Sequence, residues 1–146
     1  MIVFWALGLW AAVIAVYDWR QLRVPNALLL LMLVPAVLAL IFDTHGLLGA
    51  ARLSSLGGMV LGFALTLPGY VLKRFGAGDV KFAAVIGLLL GTPRGFEMVL
   101  GASVLMGAAA LALTVMKLPR QMKFAAAPML SAAFIVEMLW GPLLVG

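Results

Sequence analysis

Six apolar segments alternate with short polar stretches along this chain. They lie at roughly residues 1–17, 26–42, 54–72, 80–92, 98–116 and 125–145. The apolar residues run on without the strict alternation of a strand, and most segments reach the ~17–25 residues that a spanning helix needs. The fourth is shorter, at ~13 residues, or ~20 Å of helix. Because a chain inside a bilayer must satisfy its backbone hydrogen bonds internally, the pattern predicts an all-α membrane protein, a bundle of about six transmembrane helices.

Composition supports a bilayer as the solvent for these segments. The chain is 66% hydrophobic and only 10% charged, whereas soluble domains carry roughly 25% charged residues. Cysteine is absent, which excludes disulfides, cysteine zinc sites and a thiol nucleophile. The net charge of +5 is spread in short clusters between apolar segments. It therefore indicates membrane orientation and not a nucleic-acid partner.

The basic residues predict which ends of the segments face the cytoplasm. Eight of them lie after the first, third and fifth segments: Arg20, Arg23, Lys73, Arg74, Lys81, Lys117, Arg120 and Lys123. Only Arg52 and Arg94 lie on the other side. The positive-inside rule then puts both termini on the non-cytoplasmic side. It also puts Asp18 and Asp79 together at the cytoplasmic face of the cell inner (cytoplasmic) membrane.

Asp18 and Asp79 are the candidate catalytic residues. Alone, Asp18 in DWRQLRVPN could be a solvated boundary residue, and Asp79 in RFGAGDVKF could cap a helix. Two carboxylates that share a site cannot both ionise easily, so the pair can act on a water as base and acid together. Helix dipoles predict the shared proton on Asp18, after the first segment, and the ionised base at Asp79. Gly76 and Gly78 permit a positive φ and a close approach of the backbone of another chain to Asp79.

Three further residues are candidates for positioning the substrate or the loops. Lys81 could position a carboxylate or a substrate carbonyl, or it could merely extend to the membrane surface. Pro25 suits a helix start, where its missing N–H costs nothing. Asn26 could bind the Asp18 loop or cap its own helix. His45 is expected in an outer loop, and neither a metal nor a cofactor is expected.

Glycines and two isolated side chains complete the pattern. The pairs Gly58/Gly62 and Gly87/Gly91 have the spacing that lets helices pack closely. Trp10 lies too deep in its segment for an interfacial tryptophan. Glu137 lies inside the last segment with no identifiable basic partner.

The motifs resemble those of the type IV prepilin peptidases. GAGDVKFAAVIG, residues 76–87, is similar to their GxGD motif, which is shared more loosely with presenilin-type intramembrane aspartic proteases. DWRQLRVPNAL, residues 18–28, is similar to their first motif, an aspartate followed by basic residues and a Pro-Asn helix start. KFAAAPMLSAAF is loosely similar to their proline-containing last span. The resemblance covers essentially the whole chain.

This resemblance implies an activity, a substrate and a domain organisation. Asp18 and Asp79 match the two catalytic aspartates, and the substrate would be a prepilin-like protein whose basic leader is cut at the cytoplasmic face. The larger members carry a cysteine-containing domain associated with methylation. The expectation here is a single transmembrane peptidase domain over residues 1–146, similar to the short forms of Flp/Tad pili or of archaeal preflagellin processing.

Two other functions remain open at this point. A small proton-coupled transporter could use the same two carboxylates and glycine-broken helices, but it would place the acids near the midplane. A non-catalytic assembly protein of a secretion system would tolerate asparagine at both positions. The sequence does not name the pilin or the oligomeric state.

Overall fold

The computed structural model describes residues 1–117 and 125–141. The expected residues Arg120 and Lys123, the start of KFAAAPMLSAAF and residues 142–145 of the sixth segment lie outside them. The described residues form six helices: α1 Ile2–Gln21, α2 Asn26–Phe42, α3 Arg52–Val71, α4 Ala77–Leu90, α5 Thr92–Val115 and α6 Ala127–Trp140. Within these ranges there is no strand, and only an isolated bridge joins His45 to Ala51. The predicted all-helical fold is confirmed.

Two helix boundaries differ from the predicted segments. The helix α1 continues through Asp18 to Gln21 and ends where Leu22 adopts a left-handed conformation, with its N–H bonded to the Asp18 carbonyl. At the other end of the bundle, α5 begins at Thr92 and not near the predicted residue 98, and Gly91, with φ +82, separates it from α4. A side chain at Gly91 would be strained by this φ and would lie 2.8 Å from Ser54 Oγ.

The short helix α4 forms the centre of the bundle. Ten of its fourteen residues are buried, and it packs against α2, α3, α5 and α6. Phe82 and Ile86 are completely buried in this core. A helix surrounded by other helices does not have to match the bilayer thickness itself, and this explains why the fourth segment is short.

Glycines allow α3 and α4 to pack with their backbones in contact. A Cβ built on Gly58 would overlap the carbonyl oxygen of Gly87, and a Cβ on Gly87 would overlap that of Gly58. One turn further, a Cβ on Gly62 would lie 2.5 Å from the Ala83 carbonyl oxygen. The predicted close-packing role of Gly58, Gly62 and Gly87 is therefore confirmed, whereas Gly91 acts as a helix break.

Length and composition mark several helices as membrane segments. Within the described residues, α1, α3 and α5 are long and apolar enough to cross a bilayer, and α2 and α6 are shorter apolar helices. Large apolar side chains such as Trp5, Leu53 and Val104 are exposed on their surfaces. The number of crossings and the side of each terminus stay predictions.

Candidate active site

Asp18 lies in the last turn of α1 and is only 2% exposed. The prediction that it follows the helix was wrong, because α1 runs one turn further than its apolar segment. Its Oδ2 accepts a hydrogen bond of 3.1 Å from the N–H of Ala127, the first residue of α6. A buried carboxyl group is costly unless it is hydrogen-bonded, and α6 supplies that bond.

Asp79 is the third residue of α4 and is also buried. Its Oδ2 accepts a 3.0 Å hydrogen bond from the N–H of Gly76, which precedes the helix. This is the carboxylate half of a capping box, so Asp79 does act as a helix cap. Its Oδ1 is buried and makes no hydrogen bond to any described residue. The hydrogen bond through Oδ2 thus holds the loop that precedes α4.

The structure brings the two aspartates to the same end of the bundle. Asp18 and Asp79 lie close enough to interact electrostatically. The α1–α2 connector packs on the glycine loop between them, because a Cβ on Gly78 would lie 2.9 Å from Val24 Cβ. The C-terminal end of α1 and the N-terminal ends of α4 and α6 therefore surround one buried pair of carboxyl groups.

The two glycines of the motif act differently from the prediction. Gly76 has φ −77, so the expected positive φ is absent there, and Gly78 is not among the residues of positive φ in the described chain. A backbone segment does approach Gly78 closely, and it is Val24 of the same chain; the predicted approach of another chain stays a prediction. Glycine is needed at position 78 to seat this connector.

The positioning candidates lie beside the pair. Pro25 is extended (φ −72) immediately before α2, and its carbonyl accepts the first bonds of that helix. It therefore starts the helix as predicted. Asn26 neither caps α2 nor hydrogen-bonds to Asp18; its Oδ1 is 3.5 Å from Lys81 Nζ, and both side chains are exposed. This long contact links the start of α2 to α4 without defining a role for Lys81.

Comparison with known proteins shows which family the chain belongs to. A sequence model of the type IV leader peptidase family matches residues 5–111, which include both aspartates and the GxGD motif. The chain belongs to the type IV leader peptidase family. No curated protein and no solved structure matches the chain. The family makes the chain a peptidase, with a pilin precursor as its general class of substrate, and the apolar helices agree with a membrane protein.

Sequence reasoning missed how Trp10 contributes to this peptidase. Its Nε1 donates a 2.7 Å hydrogen bond to the carbonyl of Leu28 in the first turn of α2. Its ring makes edge-on contacts with Phe82 of α4, at 5.4 Å, and with Phe134 of α6, at 6.4 Å between centroids. One buried side chain thus joins four helices below the aspartates. The only signal in the sequence is that Trp10 lies deep inside an apolar segment, where its N–H needs a buried hydrogen-bond partner.

A second carboxyl pair lies in the opposite half of the peptidase. Glu97, which lies just before the predicted fifth segment at 98–116, is buried in the second turn of α5, because α5 begins at Thr92 and runs through Pro93. Glu137 of α6 is buried beside it and shares a side-chain hydrogen bond with Glu97. Arg94 lies within electrostatic range. The partner that the sequence did not identify for Glu137 is thus another carboxyl group.

Proposed function

We propose that this leader peptidase is an aspartic endopeptidase that uses Asp18 and Asp79 to activate a water. The observation that carries the proposal is the pair itself: two buried carboxyl groups at one end of the bundle, close enough to interact electrostatically. Their environments differ, because each is held by a backbone N–H from a different helix start. Two such groups can share one proton and take the roles of base and acid.

The reaction follows from these two roles. The ionised carboxylate takes a proton from a water, and the oxygen of that water attacks the scissile carbonyl carbon. The protonated carboxyl group donates its proton to the carbonyl oxygen. When the tetrahedral intermediate collapses, the C–N bond breaks and a proton passes to the leaving amine. Asp79 Oδ1, which has no hydrogen bond within the described residues, is the oxygen best placed for the water.

The proposed substrate is a prepilin-like protein cut between its basic leader and its apolar helix at the cytoplasmic face. The supporting argument is charge: six of the eight basic residues in the described ranges lie in the connectors and helix ends at this end of the bundle, and basic residues favour the cytoplasm. The location of both carboxyl groups at one end also favours a peptidase over the proton-coupled transporter, which needs acids near the midplane. The proposed location is the inner membrane.

A cleavage assay tests this function. Purified peptidase in lipid is mixed with candidate prepilins, and loss of the leader is followed by mass. The variants Asp18→Asn and Asp79→Asn are expected to lose ~10²–10⁴-fold in rate or more. Asp43→Asn, an exposed aspartate at the other end, is the matched control and is expected to cleave normally. Normal cleavage by either active-site variant would refute the proposal.

A further inference from the structure

The helix α6 reaches the active site although it lies beyond the part of the chain that matches the family. The match ends at residue 111, and α6 spans Ala127–Trp140. Its first N–H nevertheless bonds to Asp18 Oδ2 across 109 residues of sequence. Both Asp18 and Ala127 are buried, so water does not compete for this bond. The helix that follows the matched residues therefore contributes an atom to the site.

Contacts further along the two helices fix this meeting point. Ser131 Oγ, one turn after Ala127, donates a 2.9 Å hydrogen bond to the carbonyl of Ala11, two turns before Asp18. Residues at these spacings lie on one face of a helix. All four residues are buried. The helices α1 and α6 therefore have a defined register, and that register delivers the Ala127 N–H to the carboxyl group.

The Ala127 N–H is well suited to orient a carboxyl group. The first N–H groups of a helix have no partner within the helix, and they carry the positive end of its dipole. The next residue, Pro128, has no N–H, so it cannot replace the donor. At Asp18 the C-terminal end of α1 disfavours a negative charge, whereas the N-terminal end of α6 favours one.

We propose that the first turn of α6 is a positioning element of the active site, in which the N–H of Ala127 holds Asp18 in the orientation that faces Asp79. The inference rests on the proposed function of the two aspartates. Ala127 touches no reacting atom, and it acts only through Asp18. Loss of its N–H therefore slows the chemical step and leaves substrate binding unchanged.

An amide-to-ester substitution isolates this one donor. Replacing Ala127 by its α-hydroxy analogue removes the N–H and keeps the side chain and the helix. The same substitution at Met129 is the matched control, because the Met129 N–H bonds to the Ala126 carbonyl in the same turn and not to Asp18. Both full-length proteins are assayed for prepilin cleavage in lipid. Infrared bands of isotope-labelled aspartate are recorded, and the Asp18→Asn spectrum identifies the Asp18 band.

The expected result separates positioning from general weakening of α6. The Ala127 ester lowers kcat by ~2–10-fold, the equivalent of one lost hydrogen bond, with KM unchanged and the Asp18 band shifted. The Met129 ester does neither. Normal kcat in the Ala127 ester, or equal losses in both esters, would overturn the inference while the peptidase function stands. Failure of the unmodified protein to cleave any prepilin would overturn the function and the catalytic inference together.

Discussion

Replacing Gly87 by alanine is expected to push the helices α3 and α4 apart. A Cβ at Gly87 meets the backbone carbonyl of Gly58, and a backbone atom cannot swing away as a flexible side chain can. Carbon–oxygen contacts need roughly 3.3 Å, so α3 and α4 must move apart by on the order of 1 Å. A gap of 0.5–1 Å forfeits about a quarter to a half of each dispersion contact along the shared surface. Overpacking of this kind costs about 1–3 kcal/mol.

Thermal unfolding in detergent measures this loss, and Gly107→Ala is the matched control. Gly107 also lies within a helix, but a Cβ there meets nothing within 4 Å. Alanine at position 107 is therefore expected to leave stability unchanged or to raise it by up to about 1 kcal/mol through helix propensity. Because α4 also carries Asp79, Gly87→Ala is expected to reduce cleavage as well. Equal stability of the two variants would refute the close-packing account of α3 and α4.

Two other side chains give predictions of the same kind. Trp10→Phe removes the hydrogen bond to the Leu28 carbonyl and keeps an aromatic ring, so the free energy of unfolding should fall by about 1 kcal/mol. The matched control is Trp5→Phe, at an exposed position, which should leave stability unchanged. Equal stability of the two variants would contradict the role of Trp10 in joining the helices. Glu137→Gln keeps a hydrogen bond to Glu97 and should unfold normally, whereas Glu137→Ala removes that bond from a buried carboxyl group and should cost about 1–3 kcal/mol in the same assay. Unchanged stability of Glu137→Ala would show that the Glu97–Glu137 pair does not stabilise the fold.

The sequence alone identifies the two aspartates as candidates because local signals mark them. Acidic residues are scarce, and two of them lie at the ends of apolar segments that charge bias puts on one side. The helices themselves follow from uninterrupted apolar stretches. Each of these patterns lies within a single helix and its flanking residues, so it can be read from the sequence without knowing how the helices pack.

The parts that could not be predicted depend on packing between distant segments. The bond from Ala127 to Asp18 joins residues 109 positions apart, and no pattern in either helix encodes it. Glu97 falls just outside the predicted fifth segment at 98–116, whereas α5 already begins at Thr92, because proline is accepted in its first turn. The seating of Val24 on Gly78 likewise needs the folded backbone.

The most direct test of the central claim is whether Asp18 and Asp79 act as one unit. Prepilin cleavage by Asp18→Asn, Asp79→Asn and the double variant is compared with the unmodified peptidase, after each is shown to fold. Residues that act together give non-additive losses, so the double variant is expected to be no slower than either single variant. Losses that multiply, or near-normal cleavage by one single variant, would contradict the shared-pair mechanism.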